Sequence, residues 1–267
     1  MRNTADVETT VATRRGILGL AAVAGMDAAF AQADGIARRN TENTGNTSMT
    51  SISTGTLSSK TLSLGPMAAA AALGDMTSLS KALDAGLDAG LTLSEAKEVL
   101  VQLYAYAGFP RSLNALTELM KVVDERRKRG IQDPAGMPPQ RPIPVGQALL
   151  EAGTANQTAL TGAPVRGPVF EFAPAIDQYL KTHLFGDIFA RDNLDWQSRE
   201  FTTVGALAAM SGVESQLLSH IRISVNVGIT PEQLRRFGQE LSAKGFAEAG
   251  ERIHSAVGKF TQDIKKE

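Results

Sequence analysis

The chain has three histidines, at 183, 220 and 254, and His220 is the one placed to do chemistry. An imidazole titrates nearest neutrality, so it can take and return a proton near physiological pH. His183 has Asp187 four positions on and reads as a surface or interface pair, and His254 has no motif around it. Around His220, Ser224 shares its helical face, Arg222 points elsewhere, and Asn226 lies six positions on. Arg199 and Glu200 sit near the start of another helix. An arginine there runs against the helix dipole and needs a partner, which a substrate carboxylate or an internal acid would both supply. Glu98 and Tyr106 fall roughly on one side of a third helix and, with Asn114 across the break at Gly108-Phe109-Pro110, could line a pocket. The site expected from these residues has His220, Glu98 and Arg199 as its catalytic groups and Tyr106, Asn114, Asn226 and Glu200 as its substrate-binding groups. A bland role stays open to each: His220 as a capped or core histidine, Arg199 in an internal ion pair, Tyr106 in packing.

Other chemistries are excluded by what is missing. There is no cysteine among the 267 residues, which removes disulfides, thiolate catalysis and cysteine metal sites. The histidines have no His-x-x-x-His or paired-carboxylate spacing, so no metal site is expected. No Gly-rich phosphate loop and no nucleophile elbow occur, and no cofactor is expected. The formal net charge of -1 gives no long-range attraction to nucleic acid or to an anionic bilayer. The basic run at 125–129 reads as a solvated helix end.

Helices must position these residues. Apolar residues recur at helical spacing through 76–89, 94–107, 111–129 and 175–189, further helices are read at 196–211, 213–227, 231–244 and 246–263, and there is almost no period-two alternation, so the fold class is all-α. The chain also repeats itself 138 positions apart: ALGDMTSLSKALDAGLDAGLT at 72–92 returns as MSGVESQLLSHIRISVNVGIT at 210–230. Gly74 falls on Gly212, Leu79 on Leu217, Gly90 on Gly228 and Thr92 on Thr230. Each copy reads as a helix, a glycine stop and a threonine that caps the next helix. The copies diverge at ionisable positions: Ala82 stands opposite His220, and Glu98 opposite Arg236. One composite site follows more naturally than two equal ones.

The expected organisation is a signal peptide at 1–31, a disordered polar spacer at 32–60, a first module at 61–129, a linker at 130–168 and a second module at 169–267. The signal resembles the twin-arginine type, with Thr13-Arg14-Arg15-Gly16-Ile17-Leu18, a short apolar stretch and Ala29-Phe30-Ala31 at the cleavage end. That stretch is shorter than the roughly 20 residues a membrane span needs, so no stable span is expected. A periplasmic or secreted protein is implied. The linker holds seven of the eleven prolines and is expected to wrap the surface.

Three stretches together carry a family resemblance: GLTLSEAKEVLVQLYAYAGFPRSLNAL at 90–116, LFGDIFARDNLDWQSREFTTVGALAAM at 184–210 and HIRISVNVGITPEQL at 220–234. They resemble the carboxymuconolactone decarboxylase family, within the wider alkylhydroperoxidase D-like group, as two tandem copies. In the peroxidase branch of that group a glutamate precedes a Cys-x-x-Cys pair. Here Glu98 is in place, but Phe109 and Ser112 stand where the thiols would be, so peroxide reduction of that type has no nucleophile. The resemblance otherwise implies a lyase acting on a small carboxylated lactone or related acid. That reaction needs a group to hold carboxylates, a site for the developing enolate and an acid to return a proton to carbon. The alternative is a ligand-binding or scaffold protein that kept the helices and lost the redox cysteines. Single-module relatives form rings, which implies a homo-oligomer here, a trimer if two modules replace two subunits.

Overall fold

The computed structural model describes residues 56–266. The expected signal peptide and nearly all of the expected spacer lie outside those residues.

Helix α1 (Ser59–Leu73) begins where the side chain of Ser58 accepts a hydrogen bond from Thr61 N. Ser59 and Lys60, at the end of the expected spacer, belong to the first turn, and Lys60 is held there by Glu95, Nζ to Oε1 2.7 Å. The second half of α1, Leu64 to Ala72, is buried without a break. A helix apolar all round lies at the centre of a fold. Its companion is α9 (Trp196–Ala209), buried from Arg199 to Ala208. The two pack closely because glycine meets backbone: a Cβ at Gly205 would lie 3.0 Å from Gly65 Cα.

Around this pair the helices fall in matched positions. In the first half α2 (Met76–Asp88), α3 (Leu93–Gln102), α4 (Tyr104–Ala107) and α5 (Phe109–Lys128) follow α1. In the second half α10 (Glu214–Asn226), α11 (Pro231–Ala243) and α12 (Ala247–Ile264) follow α9. Helices α2 and α10 are both 13 residues long and start 138 positions apart, as do α3 and α11, and α5 and α12. The turns between them match as well. Gly90 and Gly228 have φ of 95° and 94°, a left-handed conformation that side chains resist. Thr92 and Thr230 then each close a capping box, with Glu95 and Gln233 as the reciprocal partners.

The single helix expected over 94–107 is two, broken at Leu103. The linker also differs from expectation. Residues 131–146 do wrap the surface: Pro134 O and Ala135 O accept from Leu93 N and Ser94 N at 2.9 Å, satisfying two free amides at the start of α3. The linker then forms α6 (Gln147–Thr161), because 145–163 contains no proline, a fact hidden by the average over the whole stretch. Short helices α7 (Pro168–Phe172) and α8 (Pro174–Tyr179) lead into a π-helical segment, Leu180–Ile188, within the span expected to be regular α-helix. Apolar residues three and four apart do not separate the two kinds of bonding over nine residues. Helix α6 lies against this segment at Gly153, where Asn156 Nδ2 donates to Phe185 O at 2.8 Å.

Arg126, within the basic run, is buried rather than solvated. It takes Asp84, Asp88 and Asp133 at 2.7, 2.9 and 2.9 Å, joining α5 to α2 and to the linker. Among the described residues there is no strand, and no helix is long and apolar enough to cross a membrane.

Candidate functional site

The site lies where α3 and α4 of the first half meet α9 and α10 of the second. Each half supplies side chains that the other completes.

Glu98, on α3, is 2% exposed and accepts from three residues. Arg191 Nε reaches Oε1 and Oε2 at 2.8 and 3.0 Å, Arg199 Nη2 reaches Oε1 at 2.9 Å, and Asn193 Nδ2 reaches Oε2 at 3.0 Å. Burial pushes the Glu98 carboxyl upward, but the Arg191 hydrogen bonds, the Arg199 charge and Asn193 together hold it below its ordinary value. Arg199, fully buried on α9, also donates through Nη1 to Gln102 Oε1 at 3.0 Å and through Nη2 to Arg191 O at 2.9 Å. Its guanidinium is lowered by burial, with Glu98 opposing. Gln102 returns the contact, donating to Arg199 O and to Thr203 Oγ1 at 3.0 and 2.8 Å. The expected internal ion pair for Arg199 is thus observed, and its acid is Glu98.

A second group lies beside this one. His220 Nδ1 is 2.8 Å from Glu200 Oε2, with Glu200 fully buried and the His220 side chain 10% exposed. Glu200, expected to bind substrate, is therefore the partner of the histidine. Ser224 Oγ donates to His220 O at 2.7 Å, fastening the turn on which the ring stands. Tyr106 meets the imidazole edge-on, with ring centroids 5.6 Å apart. Burial raises the Tyr106 phenol far above its ordinary value, the Glu200 charge adds to this, and so the hydroxyl stays protonated.

Four polar atoms on the side chains of this site are buried without a hydrogen-bond partner: Tyr106 OH, Glu200 Oε1, Arg199 Nε and Asn193 Oδ1. Such atoms are rare in folded proteins, because each forgoes its solvation with no return. Tyr106 OH and Arg199 Nε can donate, Glu200 Oε1 and Asn193 Oδ1 can accept, and Tyr106 feels the charges of both Glu200 and Arg199. His220 Nε2 likewise makes no hydrogen bond with a described residue.

Two expected site residues are elsewhere. Asn114 is exposed on α5, since the register of that helix turns Ser112 and Ala115 inward instead. Asn226 donates to Ala159 O and Leu160 O at 2.9 and 2.7 Å, closing the carboxyl end of α6, and is kept from the site by that duty. His183 pairs with Asp187 at 2.7 Å on the surface, as read from the sequence. Arg191, Asn193, Gln102 and Thr203 were not expected. The only sequence signal for the first two was a pair of polar side chains in the loop just before α9. At the positions where thiols would stand, Phe109 stacks on Tyr104 with centroids 4.3 Å apart, and Ser112 Oγ donates to Leu100 O at 2.7 Å.

The all-helical architecture is consistent with an alkylhydroperoxidase D-like fold. Residues 40–120 match the model of the carboxymuconolactone decarboxylase family. That match contains Glu98, Gln102 and Tyr106, the first half's share of the site. No curated protein matches the chain. Among the described residues no group of side chains could hold a metal ion.

Proposed function

We propose that the chain is a tandem carboxymuconolactone decarboxylase-like protein whose buried site carries out acid–base chemistry on a small carboxylated lactone or related acid. The observation that carries this reading is the His220–Glu200 pair, whose Glu200 Oε1 is unsatisfied, with the unsatisfied donors Tyr106 OH and Arg199 Nε in the same buried region. Glu200 fixes the ring through Nδ1 and leaves Nε2 as the nitrogen that moves a proton. In a decarboxylation the carbon–carbon bond to the departing CO2 breaks and its electron pair passes to the conjugated carbonyl oxygen as an enolate. Tyr106 OH and Arg199 Nε are the two donors for that oxygen, and His220 returns a proton to carbon. Glu98 plays no direct part, because its lone pairs are occupied. It holds Arg199 in place.

The matched helices and turns support the tandem reading, in which one site survives at the junction of the two halves. The chain is proposed to be exported through its twin-arginine-type signal and to assemble as a homo-oligomer, a trimer if two modules in one chain replace two subunits of a ring.

The test is a thermal-shift screen of the mature protein against carboxylated lactones and small carboxylic acids, repeated with His220→Ala. A ligand that binds the native state raises its apparent stability. Stabilisation of the parent but not of the variant supports the reading. A broad screen without a hit favours the scaffold alternative.

A further inference from the structure

The repeat that places His220 and Glu98 at one junction must also generate a second junction, where α1 and α2 of the first half meet α11 of the second. A cavity of about 690 Å³ lies there. Its lining residues stand 138 positions from those of the buried site. Arg236 takes the place of Glu98, Glu240 that of Gln102 and Lys244 that of Tyr106, while Leu62 and Ala82 replace Glu200 and His220. The histidine, its glutamate partner and the tyrosine are gone, and the filled polar core has become an open groove.

What remains has a consistent chemistry. Arg236 makes no ion pair or hydrogen bond with another described residue, nor does Lys81, whose charge helps to lower the Asp75 carboxyl from a distance. Lys244 is only loosely engaged, 3.7 Å from Glu240. Three cations against one carboxylate leave an excess of positive charge along the groove. The rest of its lining is apolar at Leu62, Pro66, Ala82, Ala85 and Phe246 and carries three serines, Ser59, Ser63 and Ser78. An inorganic anion would use the cations and ignore that surface. An uncharged apolar molecule would leave the cations without a counterpart. The volume falls within the range of sites that enclose an organic ligand.

We propose that this groove is a second binding site, for an organic anion with an apolar body and a carboxylate, the carboxylate lying between Arg236 and Lys81. The site is separate from the buried one and does not depend on the functional reading given to His220.

The test is isothermal titration of the full chain with 2-naphthoate, with the neutral 2-naphthalenemethanol, and with inorganic phosphate. The expected result is saturable binding of 2-naphthoate that weakens about tenfold or more, both in Arg236→Gln/Lys81→Gln and when the neutral analogue replaces the acid. His220→Ala binds 2-naphthoate as the parent does. Arg236→Lys, which keeps the charge, retains most of the affinity, separating charge recognition from a folding defect. Unchanged binding in the double glutamine variant overturns the proposal, as does phosphate binding as tightly as 2-naphthoate. Loss of binding in His220→Ala alone also overturns it, by assigning the ligand to the buried site, and leaves the proposed function standing.

Discussion

Replacing Glu98 by glutamine keeps the shape of the buried network and removes its charge. In the parent, Glu98 Oε1 accepts from Arg191 and Arg199 at 2.8 and 2.9 Å, and Oε2 accepts from Arg191 and Asn193, both at 3.0 Å. A glutamine offers one oxygen, and its amide nitrogen must face a donor that formerly met an oxygen. Arg199 has no access to water, so its charge stays buried without its counter-ion. Breaking a buried pair from one side costs about 3–5 kcal/mol. For a folded region of this size each kcal/mol lowers the melting temperature by about 2–4 °C, so Glu98→Gln is expected to melt roughly 6–20 °C below the parent. The assay is thermal and urea unfolding followed by circular dichroism, with Arg199→Met and the double variant completing a cycle. The double variant is expected to lose less than the sum of the single losses, by about 1–3 kcal/mol. A Glu98→Gln loss below about 1 kcal/mol, or strict additivity, would refute the buried network as described.

Three further outcomes follow from the geometry. Because the Glu98 carboxyl is held below its ordinary value, its contribution is complete above about pH 4.3 and is lost as pH falls through the depressed folded value, so acid unfolding of Glu98→Gln should be less steep than that of the parent. Thr92→Ala and Thr230→Ala each remove a capping box and should cost about 1 kcal/mol, adding in the double variant because the two turns share no partner; urea midpoints measure this. Gly205→Ala places a Cβ 3.0 Å from Gly65 Cα and should destabilise by about 1–3 kcal/mol, whereas Gly258→Ala meets nothing within 4 Å and should stabilise by about 0.5–1 kcal/mol, a contrast that calorimetry resolves.

Much of the fold was legible because its signals are local. The glycine stop and threonine cap at 90–92 recur at 228–230, and both appear in the structure as left-handed glycines followed by capping boxes. Periodicity located α2, α10 and α11 within a residue or two. It could not find α6, which carries a weak apolar stripe inside a proline-rich stretch. It could not distinguish the π-helical turns from α-helix. The site was half legible. His220, Arg199, Glu98, Glu200 and Tyr106 do converge, yet their pairing was not readable, since Arg199 and Glu200 are neighbours in sequence that serve different partners across the fold. Arg191 and Asn193 come from a loop without periodicity, and only the folded chain brings them to Glu98. Asn114 and Asn226 were grouped with the site by spacing along the chain, and helix register placed them elsewhere.

His220 is the group proposed to move a proton in the buried site. Its most direct test is CO2 release from a carboxylated lactone that stabilises the protein, measured for the parent, His220→Ala and Tyr106→Phe at matched fold stability. Proton transfer by His220 requires turnover by the parent, a fall of about 10²–10⁴-fold in His220→Ala, and a smaller fall in Tyr106→Phe. Equal release by the parent and His220→Ala, or no release from any ligand that binds the site, would contradict it.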